Sequence, residues 1–119
     1  MDPAQMMAHC SATLAVANGE TVLPRVLLGR ILGPLFKPGF VGETAFRRNG
    51  PTARELVVAD QRHFDTEKER LLQLVRAFSA GGESHCTTHP HPFFGKLAPS
   101  EWGIVMFKHL DHHLRQFGA

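Results

Sequence analysis

Apolar residues recur at helical spacing along most of the chain, beginning almost at its first residue. The Asp2 side chain can accept hydrogen bonds from the free amides of a first helical turn. Pro3 suits the start of such a helix because the amide that it lacks would have no partner there. The pattern therefore predicts a first helix that ends at Asn18-Gly19, with one apolar face formed by Met6, Cys10, Leu14 and Ala17.

The segment over residues 22–36 is strongly apolar, with Pro24 near its start and Gly33-Pro34 interrupting its end. This composition predicts a buried helix over about residues 25–32. The alternative is a helix that lies on a membrane surface, because basic residues punctuate the segment at Arg25, Arg30 and Lys37.

A third helix is predicted in the second half of the chain. Thr66 and Glu69 have the spacing of a capping box, although the helix can start earlier, near Gln61. Its stop is expected at Gly81-Gly82. The core face before that stop consists of Leu71, Leu72, Leu74, Val75 and Phe78.

The last helix is expected to open at Pro99 and to run to Phe117. Residues 37–60 are rich in glycine and proline and predict a long ordered excursion between helices. Because alternation at period two is nowhere sustained, the predicted fold class is all-α, in a single domain over residues 1–119.

Two histidines four residues apart, His109 and His113, fall inside the apolar stripe of the last helix. At about 100° per residue, Asp111 lies on the opposite side and His112 on the flank. An i, i+4 pair directs two imidazoles toward a common point, and neutral imidazole is a common metal ligand. The pattern alone leaves open a metal site, two core histidines with hydrogen-bond partners, or an interface pair. No glutamate follows His109, so the HExxH motif of zinc proteases is absent.

A loop before the last helix is a rival metal-binding tract, because it concentrates His85, Cys86, His89 and His91. Structural zinc sites usually recruit two spaced pairs of ligands, and no second cysteine pair exists here. The other interpretations are a loop stiffened by prolines against the core, or one loop histidine, His91, that faces the helical pair on the substrate side.

Composition narrows the class of protein. The chain has 119 residues and a net charge of +2, and its basic residues are dispersed except at Arg47-Arg48, which argues against nucleic acid as a partner. Neither a signal peptide nor a long uncharged apolar run is present, so we expect a cytoplasmic protein without a membrane span. Cys10 is interpreted as a buried apolar thiol, since adjacent helical residues point about 100° apart and it cannot pair with His9 as nucleophile and base.

Four blocks, over residues 6–10, 49–52, 91–97 and 101–118, together resemble the DUF1569 group of the DinB/YfiT-like superfamily of bacterial proteins. The resemblance implies an up-down helical bundle in which an early histidine and the HxxxH pair bind a divalent metal. Carried over to this chain, the ligands are His9, His109 and His113, with Gln116 three residues after the last of them. Neutral imidazoles suit zinc or nickel.

Characterised members of that superfamily include a mycothiol-dependent isomerase and bacillithiol transferases, in which the metal activates a cofactor thiol. The resemblance thus implies a metal-dependent thiol transferase or hydrolase acting on a small molecule, with a low-molecular-weight thiol as cofactor and His91 assisting proton transfer. The alternative is a non-catalytic, metal-stabilised interaction or oligomerisation module.

The chain departs from the family pattern in two places. Relatives usually have one more helix before the one that carries His9, so we expect a bundle that lacks the family's first helix, through a truncated N-terminus or a real loss of that helix. Apolar surface at Met7, Leu14 and Leu27-Leu28 is then left uncovered, which favours a homo-oligomer. Ala98 stands where relatives often have threonine or serine, which removes a helix-capping oxygen.

Overall fold

The computed structural model describes residues 1–42, 44–46 and 54–118. This part of the chain holds four α-helices, which are α1 (Pro3–Ala17), α2 (Leu27–Val41), α3 (Phe64–His85) and α4 (Pro99–Gln116), and a 3₁₀ turn at Arg54–Leu56. The prediction of an all-α helical bundle is confirmed. Within the described ranges, no helix combines the length and the apolar character needed to cross a membrane. The resemblance block at residues 49–52 lies outside the described residues.

Helix α1 is the central helix of the bundle and packs against both α3 and α4. Its start follows the prediction, since the Gln5 amide donates to Asp2 Oδ1 at 2.8 Å and the Asp2 amide donates to Gln5 Oε1 at 2.9 Å. Its end also follows the prediction, with Gly19 at a φ of 80° just after the C-cap. The predicted apolar face is buried in the core, so the expectation that Leu14 is left uncovered is wrong. Trp102 and Met106 of α4 belong to the same core cluster.

Helix α2 differs from its prediction in both length and burial. It continues through Pro34 and Pro38 instead of ending before them, and its buried residues are two glycines, Gly29 and Gly33. A Cβ added at Gly29 would stand 2.7 Å from the Phe93 Cα, and one added at Gly33 would stand 2.6 Å from the Phe93 carbonyl oxygen. The helix therefore docks with its backbone against the segment at Phe93. Four of its large apolar side chains, Leu27, Leu28, Ile31 and Leu35, are exposed, whereas Phe40 near its end packs against Phe94.

Lys108 of α4 holds the C-terminal end of α2. Its Nζ donates to the carbonyl oxygens of Gly39, Phe40 and Gly42 at 3.1, 2.8 and 2.8 Å. These are the last carbonyls of a helix, which have no partner within the helix itself. The positive charge also complements the partial negative charge at a helix C-terminus. A single buried lysine thus ties α2 to α4.

Helices α3 and α4 begin in different ways. The N-cap of α3 is His63, without a side-chain hydrogen bond, so the predicted capping box at Thr66 is wrong because Thr66 already lies in the first turn. Gly82, at a φ of 62°, breaks the helical geometry near the predicted stop. Helix α4 starts at Pro99 as predicted, and the Ala98 amide donates to Glu101 Oε1 at 2.8 Å, which leaves half of a capping box.

Candidate metal centre

Three histidine side chains meet where α1 packs against α4. His9 comes from α1, and His109 and His113 come from successive turns of α4. The Nε2 atom of His109 lies 2.8 Å from Nε2 of His9 and 3.2 Å from Nε2 of His113. One ligand atom from each residue lies within 4.8 Å of the others. Two nitrogens that bind a tetrahedral ion at 2.0–2.1 Å are about 3.3 Å apart, so this triad could hold a metal ion after small movements.

Hydrogen bonds orient two of the three rings from their far side. Nδ1 of His9 donates to the Leu56 carbonyl oxygen at 2.7 Å, and Nδ1 of His113 donates to Gln116 Oε1 at 2.8 Å. Because a carbonyl oxygen only accepts, each Nδ1 carries the ring proton and each Nε2 presents a lone pair toward His109. Partners of this kind fix the tautomer and orientation of metal-binding histidines.

The ring protons of the triad cannot satisfy the hydrogen-bonding needs of all three Nε2 atoms. Three Nε2 atoms face one another, and at most one proton, on His109, lies among them. One proton can bridge only one pair of nitrogens, so lone pairs oppose each other in a place where His9 and His113 are 3% and 7% exposed. A cation between the three rings satisfies all of these lone pairs at once. The donor set and its protonation therefore fit a metal ion.

Burial keeps the three rings neutral. It lowers the pKa of His9, against the opposing effect of the hydrogen bond to the Leu56 carbonyl. It lowers the pKa of His109 to about 2, and the charges of the neighbouring histidines add to the effect. Burial also lowers the pKa of His113, while the hydrogen bond to Gln116 raises it. Since only neutral imidazole binds a metal, the site is in its ligating form at neutral pH.

His112 lies beside the triad without joining it. Its ring centroid is 5.1 Å from that of His113 and 6.4 Å from that of Phe46, and its Nε2 is 3.3 Å from the Gln116 side-chain nitrogen. This placement on the flank of α4 makes His112 a natural control for substitutions of the triad.

His91 lies among aromatic rings, in a different hydrogen-bond network from the triad. Its Nδ1 accepts from the amides of Phe93 and Phe94, both at 3.1 Å, and its ring lies 5.6 Å from Trp102. Burial, together with the charge of Arg25, lowers its pKa to about 4. These contacts give His91 a clear part in shaping its loop, while proton transfer by His91 stays a prediction.

The rival cluster in the loop does not assemble. Within the described ranges, the triad is the single group of three or more histidine, cysteine or acidic side chains that converges. His85 and His89 are exposed, Cys86 is buried, and Nδ1 of His91 is engaged by two amides. The four residues are close in sequence but face different surroundings.

A cleft of about 330 Å³ opens on the His9 side of the triad. Among the residues that the structure describes, its lining besides His9 consists of Met1, Gln5 and residues 56–59, none of which has a charged side chain. Both polar groups of the Gln5 side chain are engaged, one by Asp2 and the other by the Asp60 carbonyl. This part of the lining is largely apolar.

Sequence reasoning missed one group that orients the triad, the Leu56 carbonyl, and one buried charge elsewhere on α4, Lys108. The Leu56 carbonyl belongs to the backbone, and a distant backbone group leaves no mark in the residue pattern. Lys108 falls on the side opposite the predicted stripe, where a lysine ordinarily points to solvent. Its 5% exposure follows from the position of α2, which the residue pattern does not give.

The fold and the triad define an all-α protein with a three-histidine cluster that could hold a metal. The family model described as "Protein of unknown function (DUF1569)" matches residues 2–119, so the chain belongs to this family. Comparison with curated proteins and with solved structures gives no match.

Proposed function

We propose that this chain is a DinB-like metal protein in which His9, His109 and His113 bind one divalent transition ion, zinc or nickel. The observation that carries the proposal is the convergence of three Nε2 atoms, two of which carry no proton because His9 and His113 donate from Nδ1 to the Leu56 carbonyl and to Gln116. No carboxylate belongs to the ligand set, which suits ions that favour imidazole.

We further propose that the protein is a metal-dependent thiol transferase or hydrolase. When bound, an ion with three protein ligands lowers the pKa of a water or thiol in its remaining position. The chain's own contribution is to hold the three rings neutral and fixed, and to offer the largely apolar cleft beside His9 to a small-molecule substrate.

Metal content tests the first part of the proposal. Protein purified without added metal is expected to contain about one divalent ion per chain by elemental analysis. His109→Ala should abolish this content, whereas His112→Ala should retain it because His112 lies outside the triad. Equal losses in the two variants, or a wild-type protein that takes up no zinc or nickel, would contradict the proposal.

Activity tests the second part. The metal-loaded protein is expected to accelerate conjugation of a low-molecular-weight thiol to an electrophile, and His113→Ala is expected to lose this rate. His91→Asn keeps an acceptor near the position of Nδ1 but does not titrate. A lower rate at unchanged stability in His91→Asn supports proton transfer by His91, and an unchanged rate assigns it a structural role.

A metal-stabilised interaction module is the second candidate, favoured by the low exposure of His9 and His113. Cobalt substitution separates the two candidates. If the ion has an open position, added thiol changes the visible spectrum of the cobalt protein. A spectrum indifferent to thiols, in a protein that still requires the metal for stability, favours the structural role.

A further inference from the structure

The most apolar face of helix α2 is exposed to solvent. At about 100° per residue, the direction opposite the buried glycines, Gly29 and Gly33, falls close to Ile31. The surrounding arc holds apolar residues alone, which are Leu27, Leu28, Ile31, Pro34, Leu35 and Pro38. All of them are exposed. We call these six residues the α2 face.

The α2 face is large for an apolar surface that remains exposed to solvent. Leu27, Leu28, Ile31 and Leu35 are 76%, 56%, 72% and 71% exposed. Together they leave roughly 500 Å² of apolar surface, which reaches the size of the largest patches found on monomers. Complete burial of this surface on both copies would remove at most roughly 1,000 Å² from solvent, which is the lower limit for a specific interface.

The sequence of the face is self-complementary. Leu27, Ile31 and Leu35 are spaced four residues apart, so the pattern reads the same in both directions about Ile31. In an antiparallel pair of α2 helices, Ile31 meets Ile31 of the other copy at the two-fold axis, and each Leu27 meets a Leu35. A two-fold interface requires this kind of self-matching surface.

The α2 face contains no charged residue that would oppose such a pairing. Arg30 lies on its flank, about 100° from Ile31, where a two-fold axis sets it on the same side as Arg30 of the other copy, with its side chain exposed to solvent. Lys37 is turned toward the body of the protein, with its Nζ 3.7 Å from Glu101 Oε1 and 3.0 Å from the Lys96 carbonyl oxygen.

We propose that the α2 face is a homodimer interface, in which a second copy of this chain packs antiparallel across Ile31. The docking of α2 through glycine supports this arrangement, because it leaves the side chains of the α2 face available to the partner, while Phe40 on the opposite side packs against Phe94. The proposal is independent of the metal site, to which α2 contributes no ligand.

Sedimentation velocity across micromolar concentrations tests the proposal. The wild-type chain is expected to dimerise, and Ile31→Glu to weaken the dimer about 30-fold or more, because a charge enters the centre of the interface. Ile104→Glu is the matched control, since Ile104 is an isoleucine on the outer face of α4 that is 37% exposed. Circular dichroism and metal content should be unchanged in both variants.

Cysteine cross-linking tests the geometry. Helices that pack at 8–10 Å bring facing Cα atoms to roughly 4–5 Å, which a disulfide can span. Ile31→Cys is therefore expected to form a covalent dimer under mild oxidation, and Ile104→Cys is not. The native Cys10 and Cys86 are both buried, so the wild-type chain provides the background.

Three results would overturn the proposal. One is a wild-type chain that stays monomeric throughout the concentration range. Another is an Ile104 variant that weakens the dimer as much as the Ile31 variant does. The third is a monomer that binds vesicles of phosphatidylcholine and phosphatidylserine through Ile31, which would assign the α2 face to a lipid surface.

Discussion

Acid should destabilise the folded chain through His91, because the fold requires this ring to be neutral. Its Nδ1 accepts hydrogen bonds from two amides, those of Phe93 and Phe94. A proton on Nδ1 would displace both donors. Burial and the charge of Arg25 lower the pKa of His91 in the folded state to about 4, from the ordinary 6.5.

The sign and size of the effect follow from this difference in pKa. The unfolded chain binds the proton first, as the pH falls through 6.5, so the stability that His91 contributes is complete above that pH and declines below it. The decline ends near pH 4, where the folded chain also binds the proton. The full difference in pKa between the folded and unfolded chain corresponds to about 3 kcal/mol in the free energy of unfolding. About 2 kcal/mol of this is lost by pH 5.

Urea denaturation of wild type and His91→Asn at pH 7, 6 and 5, with a chelator present, measures this effect. The asparagine Oδ1 can accept from the same amides but does not titrate, so the variant should lose about 2 kcal/mol less than wild type between pH 7 and 5. The triad histidines titrate in the same direction in both proteins and cancel in the comparison. Equal losses in the two proteins would refute the reasoning.

Two further substitutions test how α2 docks and how the triad is oriented. Gly29→Ala should destabilise the fold by about 1–3 kcal/mol because the new Cβ meets the backbone of Phe93, whereas Gly39→Ala, with nothing within 4 Å, should be neutral or slightly stabilising in the same urea assay. Gln116→Leu should weaken zinc binding about 10–100-fold in a competition titration, because His113 loses the acceptor that fixes its tautomer; unchanged affinity would remove Gln116 from the site.

The position of the histidine pair could be predicted from the sequence because it depends on local periodicity alone. His109 and His113 share a stripe with Trp102, and the structure buries Trp102 completely. The third member, His9, required the family resemblance, since nothing in a local pattern connects residues separated by 100 positions.

The orientation of α2 could not be predicted from hydrophobicity. An apolar segment indicates burial on average, but the choice of face depends on what the helix meets in the fold. The signal was present at Gly29 and Gly33, since glycines four residues apart permit close backbone approach. Because Gly33-Pro34 is also typical of a helix end, this spacing does not by itself predict which face of α2 is buried.

The triad also joins distant parts of the polypeptide, since 100 positions separate His9 from His109. The three side chains therefore do not meet until α4 has been synthesised and has packed against α1. An ion bound by all three residues would require this packing, and chains in which α4 is unmade or unfolded would hold metal poorly. In a cell, a metal ion retained by the triad would thus distinguish chains in which the two helices have packed together from chains in which they have not.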